Sequence, residues 1–567
     1  MNTPAPVYAF DAGSHRPSFL VTNETAAGWF AQGLGWLYGF NHEEAVTCFR
    51  AAAMADDDLA LAWWGVAISS GPFMNLPWDW LNGTEKAAML AACHEAVGEA
   101  RKRAGAAPPE ARALIDALAA RYPQAEVPDD DIMAAWERAY ADAMRAVYDE
   151  FGSDPDIAAV YIEAQIMLTP WQIYDVDARA PNPDARAPEI HAALTRALQG
   201  AGADHVGLLH YDIHVHEMSP TPERALASAR RLQQLAPSDA GHLQHMPAHI
   251  HALLGDYHEA TSCSRRAIAT DMRFLPHLDR TPFYRTLVCH DAHMLMHTGM
   301  QSGNMADASR GAAVMAEVLD GLLTRPPETH LDMTLEGYHA SIAHVDVRFG
   351  RWQIIADRDF GGDPVNMPVS WAMHHQSRAV ALAAMGDHKA AADAATAFDA
   401  ARAAVPSGYA YFNNAADDIL AVGAAMMRGE MAYHDGDAEA GLDKLREAVA
   451  AVDRLAYTEP WAWMHPPRHA LGALLLEQGH VAEATAVYEA DLGHTDELPV
   501  SRQNRGNIWS LSGLAEAYER QGDPRARVAA AALEQVLHLA DQPVTSSCLC
   551  RTQAGARHKA AESPRYL

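Results

Sequence analysis

One repeated phrase constrains this chain more than anything else in it. An apolar helical stretch runs into a Gly-Asp or Gly-Arg turn, and a second, alanine-rich helical stretch follows. The phrase recurs at Gly255-Asp256-Tyr257, Gly350-Arg351-Trp352, Gly386-Asp387-His388, Gly479-His480-Val481 and Gly522-Asp523-Pro524. Phe40-Asn41-His42-Glu43-Glu44-Ala45 holds the same place near the start. Glycine supplies the left-handed turn that folds two short helices back on each other. No stretch alternates with period two for long, so strands are not expected. A single hairpin of this kind cannot bury its own apolar face, so the units must stack.

The composition narrows the function classes. Of 567 residues, 49% are apolar and 20% charged, a globular balance. Lys plus Arg number 43 against 73 Asp plus Glu, a net charge of −30. Such acidity excludes a non-specific nucleic-acid binder, which needs a basic face to displace counterions, and opposes docking on an anionic membrane. No apolar run reaches the ~18 residues of a membrane span. The first residues, MNTPAPVYAFDAGSH, lack the basic and apolar regions of a signal peptide. The expected location is the cytoplasm. Six cysteines in a chain this long make no disulfide framework. Cys48, Cys93, Cys263 and Cys289 sit in apolar helical patterns and read as reduced core residues. Cys548-x-Cys550 is too short a motif to be diagnostic.

The hairpin phrase resembles the tetratricopeptide repeat, a helix-turn-helix unit. Trp29, Gly33, Trp36, Ala45, Phe49 and Ala52 fall at its signature spacings. Another unit carries Ala225 and Pro237, and a late one Leu514, Ala515 and Tyr518. The resemblance covers most of residues 25–540. It implies an all-α, tetratricopeptide-like superhelix (an α-solenoid) with a concave groove. The expected organisation is an N-terminal extension at 1–24, N-terminal repeats at 25–200, central repeats at 201–360, C-terminal repeats at 361–544, and a tail at 545–567. The two ends read as poorly ordered segments or caps. His210-Tyr-Asp-Ile-His214-Val-His216-Glu217, followed by His242-Leu-Gln-His245-Met-Pro-Ala-His249, is similar to a bacterial tetratricopeptide subfamily with H-x-x-x-H motifs. That likeness implies no activity.

Thirty histidines are unevenly placed. Aligned on the glycine and alanine landmarks, repeat positions five and nine are His210 and His214, then His245 and His249, then His293 and His297. In this repeat family those positions face the groove. His290 lies at position two of its unit, on the same face, and Glu217 at position twelve of its own. Residues i and i+4 on a helix have Cβ atoms about 5–6 Å apart, so two imidazoles there can share an ion. Packed helices run about 8–10 Å apart, close enough for neighbouring pairs to meet. The expected metal ligands are His210, His214, His245, His249, His290, His293 and His297. Glu217 is the expected catalytic group, as ligand, orienting residue or general base. Imidazole donors suit zinc, copper, iron or nickel rather than calcium or magnesium. So many candidates exceed the four ligands of a closed structural zinc site, and the expectation is one or two transition-metal ions, copper or iron favoured and zinc an alternative.

Aromatic and polar residues near helix ends, Asn75, Trp78, Trp171 and Tyr174, with Glu163, are candidates for lining a substrate pocket. No Walker loop, dinucleotide fingerprint or G-x-S-x-G elbow is present in the sequence. The expected function is a transition-metal-dependent enzyme, an oxygen-dependent oxidoreductase acting on a small molecule. The alternatives are a non-catalytic scaffold that binds a peptide or protein partner in the groove, and a metallohydrolase.

Overall fold

A computed structural model of the chain describes residues 10–551 except 14, 20, 236–238 and 278–281. Pro237, a landmark of one expected repeat, lies outside the described residues. The fold is all-α, built largely from antiparallel helix hairpins. The chain divides into two compact units, Met1–Ile250 with Arg265–Tyr284, and His251–Ser264 with Arg285–Leu567.

In the first unit, α1 (Glu24–Tyr38), α2 (His42–Ala55) and α3 (Ala60–Ser69) pack in succession. The Asn23 side chain caps α1 by accepting from the amides of Thr25 and Ala26. Gly33 is required by close approach: a Cβ there would sit 2.7 Å from the Phe49 ring. Then come α4 (Gly83–Arg103), α5 (Pro109–Arg121), α6 (Asp130–Phe151), α7 (Pro155–Ile166), α8 (Ala187–Leu198) and α9 (Val206–Glu217). α9 packs against α1, α7, α8 and α10 (Leu226–Leu235). The helical phrase from 241 is broken into α11 (Gly241–His245) and α12 (Pro247–Leu253). Pro247 has no amide to donate, so the chain tightens and the His249 amide bonds the Met246 carbonyl.

The second unit is the more regular. Its hairpins pair Pro368–Ala384 with His388–Ala404, Ala416–His434 with Ala438–Val452, Pro467–Gln478 with Val481–Asp491, and Ile508–Gln521 with Ala526–Leu537. Their shared core includes Phe398, Leu420, Leu445, Leu474, Tyr488 and Leu514. The glycines expected to make the turns do so in left-handed backbone: φ is +82° at Gly255, +63° at Gly350, +83° at Gly386, +84° at Gly479 and +66° at Gly522. Phe40, which holds that place in the first hairpin, also adopts it, at +58°. A bulky residue there is strained and must be held by its surroundings.

Among the described residues, strands are confined to two antiparallel pairs of two residues each, Tyr174–Asp175 with Ala180–Pro181 and Ala410–Tyr411 with Asn414–Ala415. Among the described residues no helix is long and apolar enough to cross a membrane.

The described residues at both ends dock on the fold, while 1–9 and 552–567, the rest of the expected extension and tail, lie outside the described residues. The Asp156 carboxylate accepts from His15 Nε2, Tyr38 Oη, His205 Nε2 and the Ser18 amide, pinning the leading segment to α1, α7 and α9. At the other end, Ser546 through Arg551 are buried. Short polar stretches read as tails because their partners lie far away in sequence. The four isolated cysteines are buried thiols, while Cys548 and Cys550 are joined to each other.

Candidate metal centre

α9 carries the core of the site in the first unit. With 3.6 residues per turn, His210, His214 and Glu217 fall on one face, and Asp212 and His216 on another. All five are buried. The second face is a hydrogen-bonded arrangement: His216 Nδ1 donates to the Asp212 carbonyl at 2.9 Å, and Ser228 Oγ to Asp212 Oδ2 at 2.6 Å.

The first face is arranged differently. His210 Nδ1 donates to the Tyr38 carbonyl at 2.7 Å, while its Nε2 is buried without a hydrogen-bond partner. Glu217 accepts from two rings at once: His214 Nδ1 at 2.6 Å on Oε1 and His249 Nδ1 at 2.7 Å on Oε2. His245 Nε2 and His249 Nε2 lie 2.7 Å apart. One nitrogen from each of His210, His214 and His242 falls within 4.8 Å of the others. Burial pushes His210 well below the ordinary imidazole range, and the neighbouring rings of His214 and His242 add to that. At neutral pH His210 is therefore uncharged, the state a metal ligand needs.

Ring spacing tests whether these side chains fit an ion. Two imidazoles sharing an ion through bonds of ~2.0–2.1 Å have ring centres about 4.5–5.2 Å apart at N–metal–N angles of roughly 90–110°, and about 6.4 Å apart when opposed. His210 and His214 are 4.7 Å apart, His210 and His242 5.1 Å, and His214 and His242 6.4 Å. These spacings are compatible with His210, His214 and His242 holding one ion together. Phe40 packs its ring over all three, at 4.5 Å from His210, 5.5 Å from His214 and 5.7 Å from His242. Its strained backbone thus places an apolar lid on the imidazoles. An edge of Trp171 approaches His214 at 6.2 Å.

Of the seven expected ligands, His210, His214, His245 and His249 gather in the first unit with Glu217. His290, His293 and His297 lie on the Pro282–Ser302 helix, in its second-unit part. There His293 packs on Tyr338 at 5.3 Å and Phe412 at 5.6 Å. Burial pushes His293 well down and His297 down to about 4. His344 is held down to about 3 by burial, its ring against Trp463.

The expected substrate residues lie in the first unit, Trp171 beside His214 and Glu163 in a cavity with Phe40. Trp78 spends its indole N–H on Glu137 at 2.8 Å, and Trp171 its own on the Met74 carbonyl at 2.8 Å. Tyr174 bonds His191 through its hydroxyl. Asn75 Oδ1 is buried without a hydrogen-bond partner. Glu163 heads a small cavity walled by Tyr38, Phe40, His42, Phe73 and Tyr211. Its Oε2 has no hydrogen-bond partner, and burial raises it to about 7, with Arg121 opposing and Glu137 adding.

His242 is the residue that the sequence reading passed over. It holds position two of its own repeat, the position that selects His290, so the same rule identifies it.

No family model matches the chain, and no curated protein matches it in sequence. Solved structures similar to it include the Cut9-Hcn1 hetero-tetramer of the APC/C, at 10% identity and TM-score 0.30 over 93% of this chain and 78% of that one. The human IFIT1 dimer with m7Gppp-AAAA is similar at 10% identity and TM-score 0.31, over 92% of each chain. Yeast Tom70 follows at 9% identity and TM-score 0.28, over 91% of this chain and 93% of that one. Likenesses this loose carry no inference about the activity of this chain.

Proposed function

We propose that this helical-repeat protein binds a transition metal through His210, His214 and His242 and uses it in redox chemistry on a small molecule. The observation that carries this reading is the buried trio itself: three ring nitrogens within 4.8 Å, one of them partnerless and held in place by a backbone carbonyl. A buried polar atom without a partner costs about 1–3 kcal/mol, a cost that a bound ion removes. Glu217 acts as a positioning residue, fixing the His214 tautomer through Nδ1 so that Nε2 carries the lone pair. An all-imidazole donor set would suit copper or iron, with zinc an alternative. A bound copper or iron ion would supply one-electron chemistry and a place for dioxygen.

Metal analysis of the purified chain, expressed in supplemented medium, tests the reading. About one equivalent or more of a transition metal is expected, and about one equivalent should be lost from His210→Ala/His214→Ala. Less than one-tenth of an equivalent would overturn it.

A second reading is a protein-binding scaffold without catalysis, favoured by the stacked hairpins, which display extended surfaces to partners. It predicts a stoichiometric partner that the metal-free chain and the His210→Ala/His214→Ala variant bind equally well.

A further inference from the structure

We infer that the first unit holds a second ion, between His245 and His249, and that Glu217 couples the two positions. This rests on the metal reading above and deepens it, from a single ion to a pair.

The placement begins with the broken helix. Pro247 separates α11 from α12, yet His245 and His249 still face each other, with ring centres 4.7 Å apart and planes at 84°. That separation equals the one between His210 and His214 and lies in the range for two rings on one ion, about 4.5–5.2 Å. The Nε2 atoms confront each other at 2.7 Å.

Protons fix the chemistry. His249 gives its Nδ1 hydrogen to Glu217, so its Nε2 carries a lone pair. That lone pair meets His245 Nε2. In the metal-free chain His245 satisfies it with an Nε2–H donor. On binding a cation, His245 moves that hydrogen to its Nδ1, and both Nε2 lone pairs turn to the ion. Both rings stay neutral, and no proton is released overall.

Glu217 supplies the reason for a pair. Its two oxygens make nearly equal bonds, 2.6 Å to His214 and 2.7 Å to His249. Each of those rings belongs to a different imidazole group. A carboxylate this deeply buried is costly unless positive charge lies near it. Two cations, one beyond each ring, balance it from both sides. The groups also adjoin directly: His242 and His245 stack with centres 5.9 Å apart, and His214 and His249 lie 6.2 Å apart.

The test is stoichiometry on the full chain, stripped of metal and titrated with Cu(II), then with Zn(II). The intact chain is expected to take two equivalents. His245→Ala/His249→Ala should take one, and His210→Ala/His242→Ala should also lose one. Glu217→Gln should weaken both by about 10–100-fold while far-UV circular dichroism stays unchanged, and Glu217→Asp should recover part of that loss. Two equivalents retained by His245→Ala/His249→Ala would overturn the inference. So would one equivalent in the intact chain, a result that needs no variant to fold and leaves the ion at His210, His214 and His242 standing. No bound metal at all would remove both readings together.

Discussion

The backbone carbonyl of Tyr38 accepts the Nδ1 hydrogen of His210 at 2.7 Å, across 172 residues of sequence. The end of α1 thereby sets the tautomer of a ring on α9 and aims its other nitrogen at His214 and His242. His210→Phe keeps a flat ring against Phe40 but removes both nitrogens. The orphaned carbonyl should cost about 1–3 kcal/mol, lowering the thermal midpoint by a few degrees with helicity intact. Metal affinity should fall at least tenfold. Unchanged metal content in a folded variant would refute a ligand role for His210.

Phe40 tests how strain and packing trade at the site. Its φ of +58° is left-handed backbone that only glycine adopts without penalty. Its ring is buried against His210 and Phe73, and losing it should cost about 3–5 kcal/mol. Phe40→Gly recovers roughly 1–2 kcal/mol of backbone strain, whereas Phe40→Ala does not. The expected order of stability in urea unfolding is therefore wild type, then Phe40→Gly, then Phe40→Ala. In ordinary helical backbone Ala would rank above Gly. Finding that ordinary order here would mean the backbone at Phe40 is relaxed.

Glu163 should make stability depend on pH. Burial raises it to about 7, with Arg121 opposing and Glu137 adding, against an ordinary value of 4.5. A raised carboxyl favours the folded state fully below the unfolded value. The advantage is lost as pH rises from about 4.5 through 7, because the unfolded chain then holds fewer protons than the folded one. The loss should be on the order of 1–3 kcal/mol. Glu163→Gln keeps the shape and cannot ionise, so its stability relative to wild type should increase across that window and level off near pH 8. A difference that stays flat from pH 4.5 to 8 would show that Glu163 titrates normally.

How much of this was legible in the sequence follows from the range of each interaction. The hairpins were, because their signal is local: five turn glycines and 3.6-residue periodicity. The shared face of His210 and His214 was legible for the same reason. The role of Glu217 was not, because its second partner, His249, lies 32 residues away and on the far side of the Pro247 break. His242 was legible by register, being the counterpart of His290. The docked ends were hidden, since Asp156 binds His15 across 141 residues and Arg348 binds Ser547 across 199. No local pattern marks a polar stretch as the partner of a distant buried charge.

Arg348 shows what that distant docking contributes to the second unit. Its guanidinium is buried, donates to the Ser547 carbonyl at 2.7 Å and to His469 Nδ1 at 2.9 Å, and lies 3.9 Å over the Trp509 ring. Burial lowers it only to about 9, so it is charged at neutral pH. A chain ending after Val544 lacks the Ser547 acceptor and should lose about 3–5 kcal/mol, the scale for breaking a buried charge's partnership. Arg348→Lys keeps the charge but cannot reach both acceptors with a planar fork, and should lose about 2–4 kcal/mol. Because the two changes remove one shared bond, the shortened Arg348→Lys chain should lose less than the sum, by about 1–2 kcal/mol. Urea unfolding of the four proteins measures that coupling. Losses that add within about 0.5 kcal/mol would show that Arg348 and the 545–551 segment stabilise the unit independently.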